Sequence, residues 1–185
     1  MNLALLKELE DLKKKQGTLS ARLAKKIETK IEHSITEAFH DFDRFFKENG
    51  FEVQSGERIV SASYGNLKAT LKYDIPEAPY LNCYFAFDLI LQFQENTEYQ
   101  LLLISKHQNR TTESYDATEG PAQQIRQSIQ EVTASIEKTE ESIKNFSKEI
   151  WSFELRSKKQ KKKANRNIYD SVYELLTTTL TKEHE

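Results

Sequence analysis

The sequence predicts an α+β fold: a long N-terminal helical arm, an antiparallel meander of four to five strands, a long heptad-patterned helix and a final amphipathic helix. Three observations predict it. Apolar residues recur at helical steps in both terminal thirds of the chain. Residues 51–106 instead alternate apolar and polar side chains, with turn residues between the runs. The 185 residues include only five Gly and three Pro, so turns are few and the elements must be long.

The chain divides by pattern into residues 1–50, 51–106, 107–120 and 121–185. The charged fraction is 30%, above the globular norm of about 25%, which suits a chain with much surface per residue.

In residues 2–16, Leu5, Leu9 and Leu12 form a stripe, with Leu6 beside it. Glu8, Glu10 and Asp11 precede Lys13, Lys14 and Lys15, the order a helix dipole favours. Gly17 either separates two helices, with Thr18 capping the second, or is a weak point in one. The next stretch extends from about Leu19 to Glu48. Leu19, Leu23, Ile27, Ile31 and Ile35 step by four, so the stripe drifts around the helix and does not read as a two-stranded heptad seam. Phe39, Phe42, Phe45 and Phe46 then form a cluster expected to lie on the sheet. Asn49-Gly50 is a helix stop.

The period changes to two at Phe51. Arg58–Tyr64 and Leu67–Tyr73 flank Gly65-Asn66, a two-residue hairpin turn. After Pro76 and Pro79, the run from Leu81 to Gln94 alternates cleanly. A last strand is expected from about Glu98 to Lys106. Such alternation implies an antiparallel sheet with one covered face. Residues 107–120 show no period and read as a loop, closed by Gly120 and by Pro121 at the first helical position.

The strongest pattern follows. Ile125, Ile129, Val132, Ile136, Thr139, Ile143, Phe146, Ile150 and Phe153 alternate steps of four and three. A repeat of this kind predicts one helix whose stripe another helix covers. The Ile series takes one seam position, and Ser128, Ser135 and Ser142 lie beside it. The expected interface is therefore Ile125, Ile129, Val132, Ile136, Ile143, Phe146, Ile150 and Phe153, closed either by the chain's own N-terminal helices or by another chain. A final helix is expected from about Asn165 to Thr181.

Composition bounds function. One cysteine, Cys83, excludes an intramolecular disulfide framework and suits a reducing, cytoplasmic setting. MNLALLKELEDL has no basic region ahead of an apolar run, so it does not read as a signal peptide, and no stretch is apolar enough to span a membrane. No phosphate-binding Gly loop, nucleophile elbow or zinc-protease motif is present. His33, Glu37 and His40 share a helix face and form the one conceivable metal constellation. The alternative, an ordinary polar face, leads to the expectation of no metal and no cofactor.

A metal-dependent nuclease would need an acidic residue on one strand and an acid-x-Lys triplet on the next. Asp88 and Lys106 fit the first and last places, but Ile104 stands where the second acid belongs. Residues 156–166 carry seven basic and no acidic groups: Arg156, Lys158, Lys159, Lys161, Lys162, Lys163 and Arg166. Such a run can neutralise phosphates without reading sequence, or it can be a solvated surface. The expectation is a non-catalytic interaction or accessory subunit. It assembles through its helix seam with itself or with a protein partner and not on a membrane. Nucleic-acid binding through the basic run is the alternative, and a degenerate nuclease the second.

Overall fold

In a computed structural model, residues 3–74, 83–93, 96–105, 121–157 and 167–181 are described. The expected α+β class is observed. A first helix α1 spans Leu3–Glu48. Strands β1 (Glu52–Ser55), β2 (Ile59–Tyr64), β3 (Leu67–Asp74), β4 (Cys83–Gln92) and β5 (Asn96–Ser105) follow it. Helix α2 (Pro121–Asn145) leads through a 3₁₀ turn, Phe146–Lys148, into β6 (Trp151–Ser157). Strand β7 (Asn167–Tyr169) and helix α3 (Val172–Leu180) complete the chain. The seven strands form one antiparallel sheet in sequence order, two more strands than the pattern suggested. Residues 107–120 and the region of Pro76 and Pro79 lie outside the described residues.

The chain folds as two units. One comprises residues 1–30 and 109–149, and the other residues 31–108 and 150–185. Helix α1 contributes to both.

In the second unit, the sheet presents Val60, Ala62, Ala69, Leu71, Phe87, Leu89, Leu101, Leu103 and Phe153 on one buried face. The C-terminal part of α1 meets that face. Phe39 stacks on Phe87 with ring centroids 5.8 Å apart, and Phe42 and Phe46 are fully buried. The expected Phe cluster therefore does seat the helix on the sheet. Its end is closed by backbone chemistry. Gly50 adopts φ +80, its N–H donates to Lys47 O, and the Phe51 N–H donates to Phe46 O at 2.9 Å. Only a residue free of a Cβ takes that left-handed conformation cheaply. The rings of Phe46 and Phe51 meet at 5.1 Å, the apolar contact that accompanies this kind of cap.

The other face is mostly polar but not wholly exposed. Leu102, Ser152 and Glu154 are buried on it. Glu154 accepts a charge-assisted hydrogen bond from Arg156 Nε at 2.8 Å, which a buried carboxylate requires. Both edge strands are short, β1 with four residues and β7 with three, which limits pairing with other chains.

Of the two readings of Gly17, one continuous helix is observed, with α1 running through it. Two other helical expectations are corrected. The heptad helix does not reach Phe153. It ends at Asn145, the chain tightens into the 3₁₀ turn, and Glu149 is extended with ψ 123. Ile150 is 53% exposed, and Phe153 is a strand residue opposite Leu103. The steps at Ile150 and Phe153 matched the heptad by coincidence. From Trp151 onward the alternating pattern governs, because β5 offers an open ladder for pairing. Likewise Asn167–Tyr169 pairs with β6, so the last helix begins only at Val172.

Candidate functional site

In the first unit, α2 lies beside the N-terminal part of α1. Gln16 Nε2 donates to Ser135 Oγ at 2.8 Å, and Lys15 Nζ stands 3.0 Å from Glu140 Oε1. Lys26 Nζ sits 5.7 Å from the centroid of the Phe146 ring. Residue numbers rise together along the two helices, so the helices run in the same direction. On α2, Ile136 is 3% exposed, and Ile125, Ile129, Val132, Thr139, Ile143 and Phe146 are half-buried. Ser128, Ser135 and Ser142 are half-buried beside them.

The covered positions of α1 up to Lys30 are Leu5, Leu6, Leu9, Leu12, Gln16, Leu19, Leu23, Lys26, Ile27 and Lys30. Leu9 is buried and the others are half-buried. Apart from Leu6 and Ile27 these positions step four and three, while Ile27, Ile31 and Ile35 of the drifting stripe are half-buried as well. Gln16, Lys26 and Lys30 hid the repeat, because three of its places carry polar side chains. The spacing itself was the signal that would have revealed it. The half-buried lysines are consistent with long apolar stems lying along the neighbouring helix.

In the second unit, a cleft of about 400 Å³ is lined by His33, Glu37, His40, Asp41, Phe153 and Asp170, among others. It gathers the His33, Glu37 and His40 constellation, but most of its polar groups are engaged. His33 Nε2 lies 3.6 Å from Glu37 Oε1. Asp41 accepts the Tyr173 backbone N–H at 3.2 Å. Asp170 accepts from Ser152 Oγ at 3.3 Å. Ser171 caps α3 by accepting the Glu174 N–H at 3.0 Å, and Thr36 donates back to Glu32 O. Among the described residues no group of three His, Cys, Asp or Glu side chains is placed to hold a metal ion.

Next to the cleft, α3 is fixed to α1. Tyr173 donates its hydroxyl to Glu48 Oε2 at 2.6 Å, and the Arg44 guanidinium lies 3.9 Å from the Tyr173 ring centroid. The hydrogen bond to Glu48 holds the Tyr173 hydroxyl above the ordinary tyrosine range, with burial and the Glu48 charge acting in the same direction.

Asp88 of β4 stands opposite Lys72 and Gln100 in the ladder. Lys106, its intended nuclease partner, lies outside the described residues, as do Lys158, Lys159, Lys161, Lys162, Lys163 and Arg166. Arg156 is the described member of the basic run, and it is the partner of Glu154. No helix among the described residues is long and apolar enough to cross a membrane. Comparison of the chain with protein-family models, curated proteins and solved structures gives no match.

Proposed function

We propose that this protein is a non-catalytic interaction or accessory subunit whose assembling element is a parallel, in-register coiled coil of α1 and α2. The observation that carries this reading is the Lys15–Glu140 ion pair, with its atoms 3.0 Å apart. In a parallel heptad pair, a residue flanking the seam on one helix reaches the flanking residue of the next heptad on the other. Lys15 precedes the seam residue Gln16, and Glu140 follows the seam residue Thr139, so the ion pair has that geometry. Leu9 then aligns with Ile129, Leu12 with Val132, Leu19 with Thr139 and Leu23 with Ile143.

A heptad pair of this length is a device for association. Purification of the tagged chain from its native host, with mass spectrometry of what accompanies it, tests the proposal. A stoichiometric partner or a defined oligomer is the expected result. A monomer that turns over a substrate would contradict it.

The basic run favours a second reading, sequence-independent binding to nucleic acid as part of the same accessory role. Seven cations within eleven residues give the charge that phosphate contacts need.

A further inference from the structure

We infer that the seam of α2 is a masked self-association surface and that the N-terminal part of α1 is its intramolecular cover. The partner that fits the uncovered seam is a second copy of α2. This inference rests on the coiled-coil reading above.

The two helices are unequal. The seam of α2 holds Ile129, Ile136 and Ile143 in one series and Ile125, Val132 and Phe146 in the other, with Thr139 as its one polar place. β-Branched residues in the first series are side chains that a parallel coiled-coil seam takes at that position. Ser128, Thr133, Ser135, Glu140 and Ser142 flank the seam, so two parallel copies of α2 set no like charges against each other. Their small side chains also let two backbones come close.

The seam of α1 has three polar places. Two copies of α1 would oppose Lys26 with Lys26 and Lys30 with Lys30, which like-charge repulsion and desolvation forbid. Against α2 these residues are accommodated. Gln16 finds Ser135, and Lys26 finds the face of Phe146. So α1 suits α2 and not itself, whereas α2 suits both. The cover is also incomplete, since Ile136 is the one α2 seam residue buried below a tenth of its surface.

Tethering decides between the two pairings in the intact chain. A covalently linked partner acts at an effective concentration on the order of millimolar, so α1 holds the seam. Displacement of α1 frees α2 to pair in trans.

The test uses the full chain with Cys83→Ser and Thr139→Cys, with and without Leu9→Glu and Leu12→Glu. Position 139 lies on the seam, so parallel pairing of two α2 helices brings the new thiols together. The chain with its leucines intact is expected to show no cross-link between copies under mild oxidation at tens of micromolar. The Leu9→Glu, Leu12→Glu chain is expected to run at no less than twice the monomer mass in light scattering and to form a covalent dimer. A monomeric, uncross-linked variant overturns the inference, whether its helicity is kept or lost. Lost helicity would show that α2 needs α1 and cannot use itself. Failure of the coiled-coil reading looks different: with the leucines intact, Gln16→Cys with Ser135→Cys would then not oxidise within the monomer. A reverse variant, Gln16→Leu with Lys26→Leu, is expected to remain monomeric, and dimerisation through position 139 in that variant would also overturn the inference.

Discussion

Gln16 donates its amide hydrogen to Ser135 Oγ at 2.8 Å, with both side chains half-buried between α1 and α2. A polar pair inside an apolar seam weakens it relative to an apolar layer, but it penalises every register in which the amide has no partner. Ser135→Ala is expected to cost about 1 kcal/mol, the usual net value of such a bond. In a Gln16→Leu background the same change should cost close to nothing. Urea unfolding of the four chains gives the coupling energy, and strictly additive effects would show that the two residues do not interact.

The seam ends where the burial ends. Ile136 is 3% exposed and Ile150 is 53% exposed, although both occupy the same place in the repeat. Ile136→Ala is expected to cost about 2–5 kcal/mol, whereas Ile150→Ala should fall within about 0.5 kcal/mol of the parent. Equal losses in thermal or urea unfolding would mean that the helix continues to Phe153.

Alkaline pH should loosen the attachment of α3. The Tyr173 hydroxyl is held above the ordinary value of 10.0, first by its hydrogen bond to Glu48. The folded state thus keeps the proton that the unfolded state releases, and the associated stability is present below pH 10 and lost as pH rises through the folded-state value. Tyr173→Phe is expected to lose less stability than the parent between neutral pH and pH values above 10. Glu48→Gln should bring the Tyr173 phenol back toward its ordinary titration, as read by phenolate absorbance.

For the basic run, the expected result is weak duplex-DNA binding that falls with salt. Four or five phosphate contacts give a log–log slope of about −4. Changing Lys161, Lys162 and Lys163 together to Gln removes three charges and should weaken binding. Undiminished binding by the triple variant, or no binding by the parent at low salt, would remove the nucleic-acid reading.

The α+β class, the β2–β3 hairpin, the α1 terminus at Gly50 and a helix from Pro121 to Asn145 were all legible in the sequence. Each rests on a local signal: alternation, a two-residue turn, a left-handed glycine, an unbroken repeat. Strands β6 and β7 were not legible, because Ile150 and Phe153 prolonged the heptad spacing and β7 has only three residues. Their state is set by the open edge of β5, which is a tertiary fact. The α1 half of the seam was hidden for a different reason. Gln16, Lys26 and Lys30 read as surface residues until Ser135 and Phe146 are placed beside them. The α1 cleft was only half visible, since Phe153 and Asp170 join His33, Glu37, His40 and Asp41 from distant parts of the chain.

In the proposed assembly α1 closes the α2 seam within one chain, in parallel and in register. Disulfide trapping tests it most directly, with Gln16→Cys and Ser135→Cys in a Cys83→Ser background and with Gln16→Cys and Ser142→Cys as the shifted control. Rapid oxidation of the 16–135 pair at monomer mass is expected, with α2 helicity retained and the control slow. Equal oxidation of both pairs, or cross-links found only between chains, would contradict it.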